Sequence, residues 1–390
     1  MKLGNLINPF LLFPFAFIFL IWMYDLGWSD LFPKLELNTY IFIALTSFLF
    51  LLIGFVLKKK NRIRYTDISN ENLKNHNPLF VVVFMIVLFV IDIAYSGVIP
   101  FLAGDIEAYE TFGMPIVDPL ILSLIIFYSI YWFHAYLTNK KKMFLLFILF
   151  NIIMCVLMAR RSAMVYVFIS FLLIYIQKIH LVKKRSILMI LLLVFGFSSL
   201  FGYLGNMKTG LDDDHTTTHM GATDKFYKSG VSNVHYITYL YVCSPIANFQ
   251  LTINKKDYTH SYEALVVGQF MPDFVANKLI NLLGLNFEVG EMQLVMSVLN
   301  VGTFFAGTYI AFGWLGVLLS VLYMSFFALS VYWVYPKSSP YHVTLNAFLC
   351  SIFLTALFSN TFRLGPVCFV FMTPIFLNFI NRIRFLPKKV

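Results

Sequence analysis

Residues 119–185 run Pro119–Thr138 (PLILSLIIFYSIYWFHAYLT), Asn139-Lys140-Lys141-Lys142, Met143–Ala159 (MFLLFILFNIIMCVLMA), Arg160-Arg161-Ser162, Ala163–Val182 (AMVYVFISFLLIYIQKIHLV) and Lys183-Lys184-Arg185. A helix rises 1.5 Å per residue, so about 20 apolar residues cross the roughly 30 Å of bilayer hydrocarbon. Each apolar run here comes near that length, and each ends in positive charge. The stretch therefore reads as three transmembrane helices in succession. Lys140–Lys142 and Lys183–Arg185 are clusters of the kind that stay on the cytoplasmic side, which places Arg160 and Arg161 on the opposite side.

The same pattern extends in both directions. Apolar runs occur at Pro9–Tyr24, Tyr40–Leu57 and Pro78–Gly97 before this stretch, and at Ser186–Gly205, Thr308–Tyr335, Tyr341–Ser359 and Leu364–Ile380 after it. The expectation is an all-α polytopic membrane protein of about ten transmembrane helices. Residues 1–205 hold seven spans, 206–307 form a large external loop, and 308–390 hold three spans and a cytoplasmic tail. The first run lacks a small-residue cleavage site and is read as a retained helix.

Composition agrees. Of 390 residues, 59% are hydrophobic and only 12% charged, against about 25% charged in ordinary soluble domains. The formal charge of +10 is topological and does not point to nucleic acid. Basic clusters follow the second, fourth, sixth and tenth spans, which puts both termini in the cytoplasm. With that topology, 19 of the 29 basic residues fall inside with two of the 19 acids, and 10 basic and 16 acidic residues fall outside, with Asp92 inside a span. Cys155, Cys243, Cys350 and Cys368 carry neither a disulfide framework nor a metal spacing.

Two external segments stand out. Val98–Asp118 is too long for a tight turn. The second, about Asn206–Gly307, opens on polar Asp212–Asp214 and then turns apolar at Tyr236–Leu251 and Ala264–Leu285, broken by Pro245, Gly268 and Pro272. These read as short helices at the interface or dipping into the bundle, where irregular backbone is tolerated beside protein or a wet cavity.

The residues that defy the charge rule carry the chemistry. Arg160, Arg161 and Arg363 lie in short external turns, and guanidinium forks suit phosphate oxygens, so the three are candidate diphosphate ligands. Snorkelling onto lipid headgroups is the plainer reading of any one of them. Asp273 and Glu291, carboxylates in apolar surroundings, and His235, beside a tyrosine-rich stretch, are candidate bases; either carboxylate also reads as a helix cap. Asp92 needs a partner, and an arginine is expected to supply it. The sequence has no Gly-rich phosphate loop and no Asp-x-Asp pair for a metal-bound sugar nucleotide, so an enzyme built this way draws its substrate from the membrane.

The layout resembles the O-antigen and capsule repeat-unit polymerases, the Wzy type, across nearly the whole chain. The resemblance is carried by Gly97-Val98-Ile99-Pro100-Phe101 with Tyr109, Phe112-Gly113 and Pro115; by Ala159-Arg160-Arg161-Ser162; and by Asn300-Val301-Gly302-Thr303-Phe304 followed by Tyr309, Phe312-Gly313-Trp314 and Leu315-Gly316. Many relatives have an acidic residue shortly before that Phe-Gly, where this chain has Ala311. The resemblance implies a GT-C-like, metal-independent glycosyltransferase of the bacterial inner membrane, without cofactor, acting at the periplasmic face. It joins oligosaccharide units carried on undecaprenyl diphosphate, with a chain-length regulator and a flippase as possible partners. Tyr236, Tyr239, Tyr258 and Phe270 would stack sugars, and Asn300 would bind substrate. An O-antigen ligase-type glycan transferase and a lipid-linked oligosaccharide flippase are the alternative readings.

Overall fold

The computed structural model describes residues 7–60, 65–69, 73, 77–103, 111–179, 217–288 and 290–384. The expected span Ser186–Gly205 and Asp212–Asp214 lie outside the described residues, as does Tyr109. The regular structure among those described is helical, with one isolated β-bridge, Ser29 to Ala222. Five helices are long and apolar enough to cross a membrane: α2 (Leu37–Lys59), α3 (Pro78–Ser96), α4 (Val117–Asn139), α6 (Arg161–Lys178) and α9 (Ala306–Val334). Three shorter apolar helices accompany them, α1 (Pro9–Tyr24), α5 (Met143–Leu157) and α10 (His342–Thr355), with the apolar part, Gly365–Phe379, of α11 (Gly365–Arg384). The chain is thus an all-helical protein of membrane character.

The centre of the bundle is α4, packed against α3, α5, α6, α10 and α11. Its most apolar window is 78% buried, against 28% for α2 and α3. The peripheral helices present Phe48, Leu52, Phe55, Phe80 and Val83 outward, as lipid-facing helices do when hydrocarbon is the solvent. Rings join α1, α2 and α10, with Phe10 5.4 Å from Phe50 and 5.5 Å from Phe353.

Of the two placements expected for Tyr236–Leu251, at the interface or dipping into the bundle, it takes the second, and it is not short. It belongs to one 22-residue helix, α7 (Val234–Lys255), that runs unbroken through Pro245. Every residue from Cys243 to Gln250 is buried, so α7 is enclosed on all sides. Proline inside a helix costs about 3 kcal/mol, and burial of a full circumference outweighs that cost. Ala264–Leu285 is broken as its proline and glycines suggest. A turn at Tyr262–Leu265 passes into a π-helical turn, Val266–Phe270, then breaks at Met271-Pro272 before α8 (Asp273–Leu283).

Between α8 and α9 the chain has no regular structure over residues 290–305, and α7 holds it in place. The fully buried Asn248 side chain donates to the carbonyls of Leu299 (2.6 Å) and Val301 (2.8 Å) and accepts from the Val295 amide (2.8 Å). Thr252 Oγ1 accepts from the Gln293 amide at 3.1 Å. These bonds replace the ladder that irregular buried backbone otherwise lacks.

Candidate functional site

A cavity of about 380 Å³ lies where this irregular segment meets the first turn of α9, the N-terminus of α8 and the connection from α10 to α11. Asp273 is the first residue of α8, where a carboxylate suits the positive end of the helix dipole. Arg363 closes a single 3-10 turn, Thr361–Arg363. Its Nε and Nη2 both donate to Asp273 Oδ1, at 3.2 and 2.8 Å. The side chains are 34% and 41% exposed. Asp273 Oδ2 makes no hydrogen bond among the described residues, and the remaining guanidinium N–H groups are open to an incoming anion.

The cavity wall is polar on one side. Asn360 Nδ2 donates to the Gln269 carbonyl at 2.7 Å, joining the 3-10 turn to the π-helical turn. Asn360 Oδ1 and Thr303 Oγ1 are buried and have no hydrogen-bond partner among the described residues. Gln269 is 6% exposed, and its side-chain amide has no hydrogen bond among the described residues. That amide lies across Gly307, where an added Cβ would stand 2.8 Å from Gln269 Cδ. Met292, Phe304 and Ile310 supply the apolar side. The arrangement offers an anion ligand, an open carboxylate oxygen and neutral hydrogen-bonding groups within one hollow.

The three arginines do not share that hollow. Only Arg363 lines it. Arg160 pairs with Asp118 at 3.0 Å, with side chains 19% and 14% exposed, and its Nη2 also donates to the Phe112 carbonyl at 3.5 Å. The turn that presents Arg160 is tight, with Ala159 in the left-handed region at φ 53°. Arg161 is exposed and has no ion pair among the described residues. Both ion pairs nevertheless occupy the same end of the bundle. Pro119, next to Asp118, meets Gly365, two residues past Arg363, where an added Cβ would lie 3.4 Å from Pro119 Cβ and 3.4 Å from Phe274 Cδ1.

Asp92 is fully buried, and the expected arginine, Arg160, acts on it electrostatically while making its direct ion pair with Asp118. Asp92 Oδ1 accepts from the Met114 amide at 2.9 Å.

The remaining sequence candidates lie elsewhere. His235 begins α7, thirteen residues and about 20 Å along the helix from Asn248. Tyr236 and Tyr239 are corrected as sugar platforms. Both are buried: the Tyr236 hydroxyl donates to the Met220 carbonyl at 2.8 Å, and the Tyr239 hydroxyl accepts from the Trp28 amide at 3.2 Å. Packed among Trp28 and Phe226, neither ring has a face to offer. Tyr258 stands over Gly313 at the bend of α9, edge-on to Tyr309 with ring centres 5.9 Å apart. Phe270 stacks on Tyr323 at 4.9 Å. Glu291 sits between two cavity residues but is itself exposed and outside the lining, and Asn300 is exposed beside the segment.

Sequence marked Thr303 only as part of the Asn300–Phe304 motif, and it did not mark Gln269, Asn360 or the clamp Asn248. The signal available was an amide inside an apolar run, Ile246-Ala247-Asn248-Phe249 and Val267-Gly268-Gln269-Phe270. An amide in apolar surroundings needs hydrogen-bonding company, from backbone as for Asn248 or from a cavity as for Gln269. No protein-family model, curated protein or solved structure matches this chain.

Proposed function

We propose that the chain is a membrane-embedded glycosyltransferase of the Wzy polymerase kind, extending a glycan carried on undecaprenyl diphosphate. In this reading it has about ten spans in a GT-C-like arrangement, sits in the bacterial inner membrane with both termini cytoplasmic, and keeps the cavity at the periplasmic face. The observation that carries it is the Arg363–Asp273 pair on the wall of a polar cavity within an otherwise apolar bundle.

The chemistry asked of the site is an exchange at an anomeric carbon. A hydroxyl of the acceptor sugar forms a bond to that carbon as the bond to the lipid diphosphate breaks. The leaving diphosphate takes up negative charge, which Arg363 is placed to stabilise, with exposed Arg161 as a second cation at the same end. The hydroxyl proton goes to Asp273 Oδ2, the carboxylate oxygen left open by the ion pair. Asp273 thus orients the arginine through one oxygen and takes the proton through the other. Arg160, already paired with Asp118, supports the neighbouring helix ends.

The test is elongation by purified protein in detergent, with defined undecaprenyl-diphosphate-linked repeats as substrate. Detergent abolishes sidedness, so elongation separates transfer from transport. Arg363→Ala and Asp273→Asn are each expected to lower the rate by about a hundredfold or more, the size of effect found when a transition-state charge partner is removed. Wild-type product ladders from both variants would refute the assignment.

A further inference from the structure

The cavity contains a group that neither the arginine nor the carboxylate accounts for. Gln269 sits in the π-helical turn, 6% exposed, with a side-chain amide that has no partner among the described residues. Its backbone is fixed, because its carbonyl accepts from Asn360. Its side chain has room only because residue 307 is glycine. π-helical turns recur at functional sites, where they turn one side chain out of register. The amide is not sealed into the core but opens onto the cavity, so the turn presents one donor and one acceptor to whatever enters.

The chemistry of that partner follows from the lining. Arg363 offers N–H donors to an anion. Gln269 offers a donor and an acceptor on one planar group, which match a group that both gives and takes a hydrogen bond: a sugar hydroxyl, or the N–H and C=O of an acetamido substituent. Met292, Phe304 and Ile310 supply apolar contact for the ring's C–H face. A volume of about 380 Å³ is near the low end of small-molecule sites, roughly 300–1,000 Å³. It takes one ring and its phosphate, not a whole repeat unit.

We propose that Gln269 is the specificity-determining residue of this cavity, reading a hydroxyl or acetamido group on the sugar ring directly attached to the phosphate that Arg363 holds. This rests on the assignment of Arg363 as a phosphate ligand and names the part of the substrate that the cavity selects. A site built to hydrogen-bond one substituent rejects rings that lack it, because the buried amide is then left unpaired.

The experiment measures binding to the full chain in detergent micelles by calorimetry, with inorganic phosphate, glucose 1-phosphate and N-acetylglucosamine 1-phosphate as probes. The expected result is that at least one glycosyl phosphate binds more tightly than phosphate. Gln269→Leu should remove about tenfold of that preference and leave phosphate affinity unchanged. Gln269→Asn, which withdraws the same amide by one methylene and disturbs packing least, should weaken the preference in the same direction. The proposal is overturned if neither glycosyl phosphate outbinds phosphate, or if both variants keep the wild-type preference. The Arg363→Ala variant answers a separate question. Undiminished phosphate binding there would remove the anion assignment, whereas phosphate binding that depends on Arg363 but ignores the sugar would remove the Gln269 assignment alone.

Discussion

Asp118 and Arg160 differ from Asp273 and Arg363 in one respect that decides what each pair does. The first pair is closed off, at 14% and 19% exposed, and Asp118 Oδ1 is buried with no partner among the described residues. The second is half open. Breaking a buried pair from one side strands a charge and costs about 3–5 kcal/mol, whereas an exposed pair contributes little. Asp118→Asn is therefore expected to lower the thermal midpoint of the detergent-solubilised protein by several degrees. Asp118→Asn combined with Arg160→Gln should recover part of that loss, as coupled neighbours do in a double-mutant cycle. Asp273→Asn should leave the midpoint close to wild type. Equal midpoints for Asp118→Asn and wild type would show that the first pair is not structural.

At the scale of elements, α9 is the most instructive. Its backbone breaks at Phe312 (φ −151°, ψ 21°) and Gly313 (φ 60°, ψ −150°). The bend frees two carbonyls, and the irregular connection beside it satisfies them: the Thr259 amide donates to the Ile310 carbonyl at 2.9 Å and the Ser261 amide to the Ala311 carbonyl at 3.1 Å. Gly316 then packs directly on the Thr308 carbonyl, leaving no room for a Cβ. The Phe-Gly-Trp and Leu-Gly pieces of the sequence are thus a helix break with glycine where φ and space demand it. Because Ala306, Gly307 and Ile310 line the cavity, the break sets where one wall stands. Gly313→Ala would force a positive φ on a residue whose Cβ lies 3.3 Å from the Tyr258 ring. A loss of roughly 1–3 kcal/mol in stability is expected, read by urea unfolding in mixed micelles. Gly268→Ala has only ordinary contact with Phe287 at 3.7 Å and serves as the control expected to change little.

At the scale of the whole molecule, α4 is enclosed while α2 and α3 ring the outside, and the ends of α5 carry opposite expectations. Lys140–Lys142 precede it and Arg160 follows it. Fifteen residues span about 22 Å, so these two ends face opposite sides if the chain crosses the membrane as proposed. Cys155, Cys243 and Cys350 are buried and Cys368 half-buried, which keeps background thiol labelling low. Lys141→Cys should resist an impermeant maleimide added to spheroplasts, and Glu291→Cys should react. The reverse pattern would invert the topology and move the cavity to the cytoplasmic side.

Sequence by itself determined the membrane class and nearly all of the apolar helices described here, because hydrocarbon imposes a length and a composition that survive in one dimension. It also marked Arg363, a cation without a topological reason, and Asp273, a carboxylate in apolar surroundings. It did not reveal that they form a pair, that Arg160 belongs to a different pair, or that Tyr236 and Tyr239 are core. Burial of α7 on every side was equally out of reach, since a helix enclosed by protein and one lying in an interface can share the same apolar content. Tertiary structure decided those points. Which polar groups meet depends on contacts between residues far apart in the chain, 90 positions for Arg363 and Asp273 and 91 for Asn360 and Gln269, and no local pattern records them.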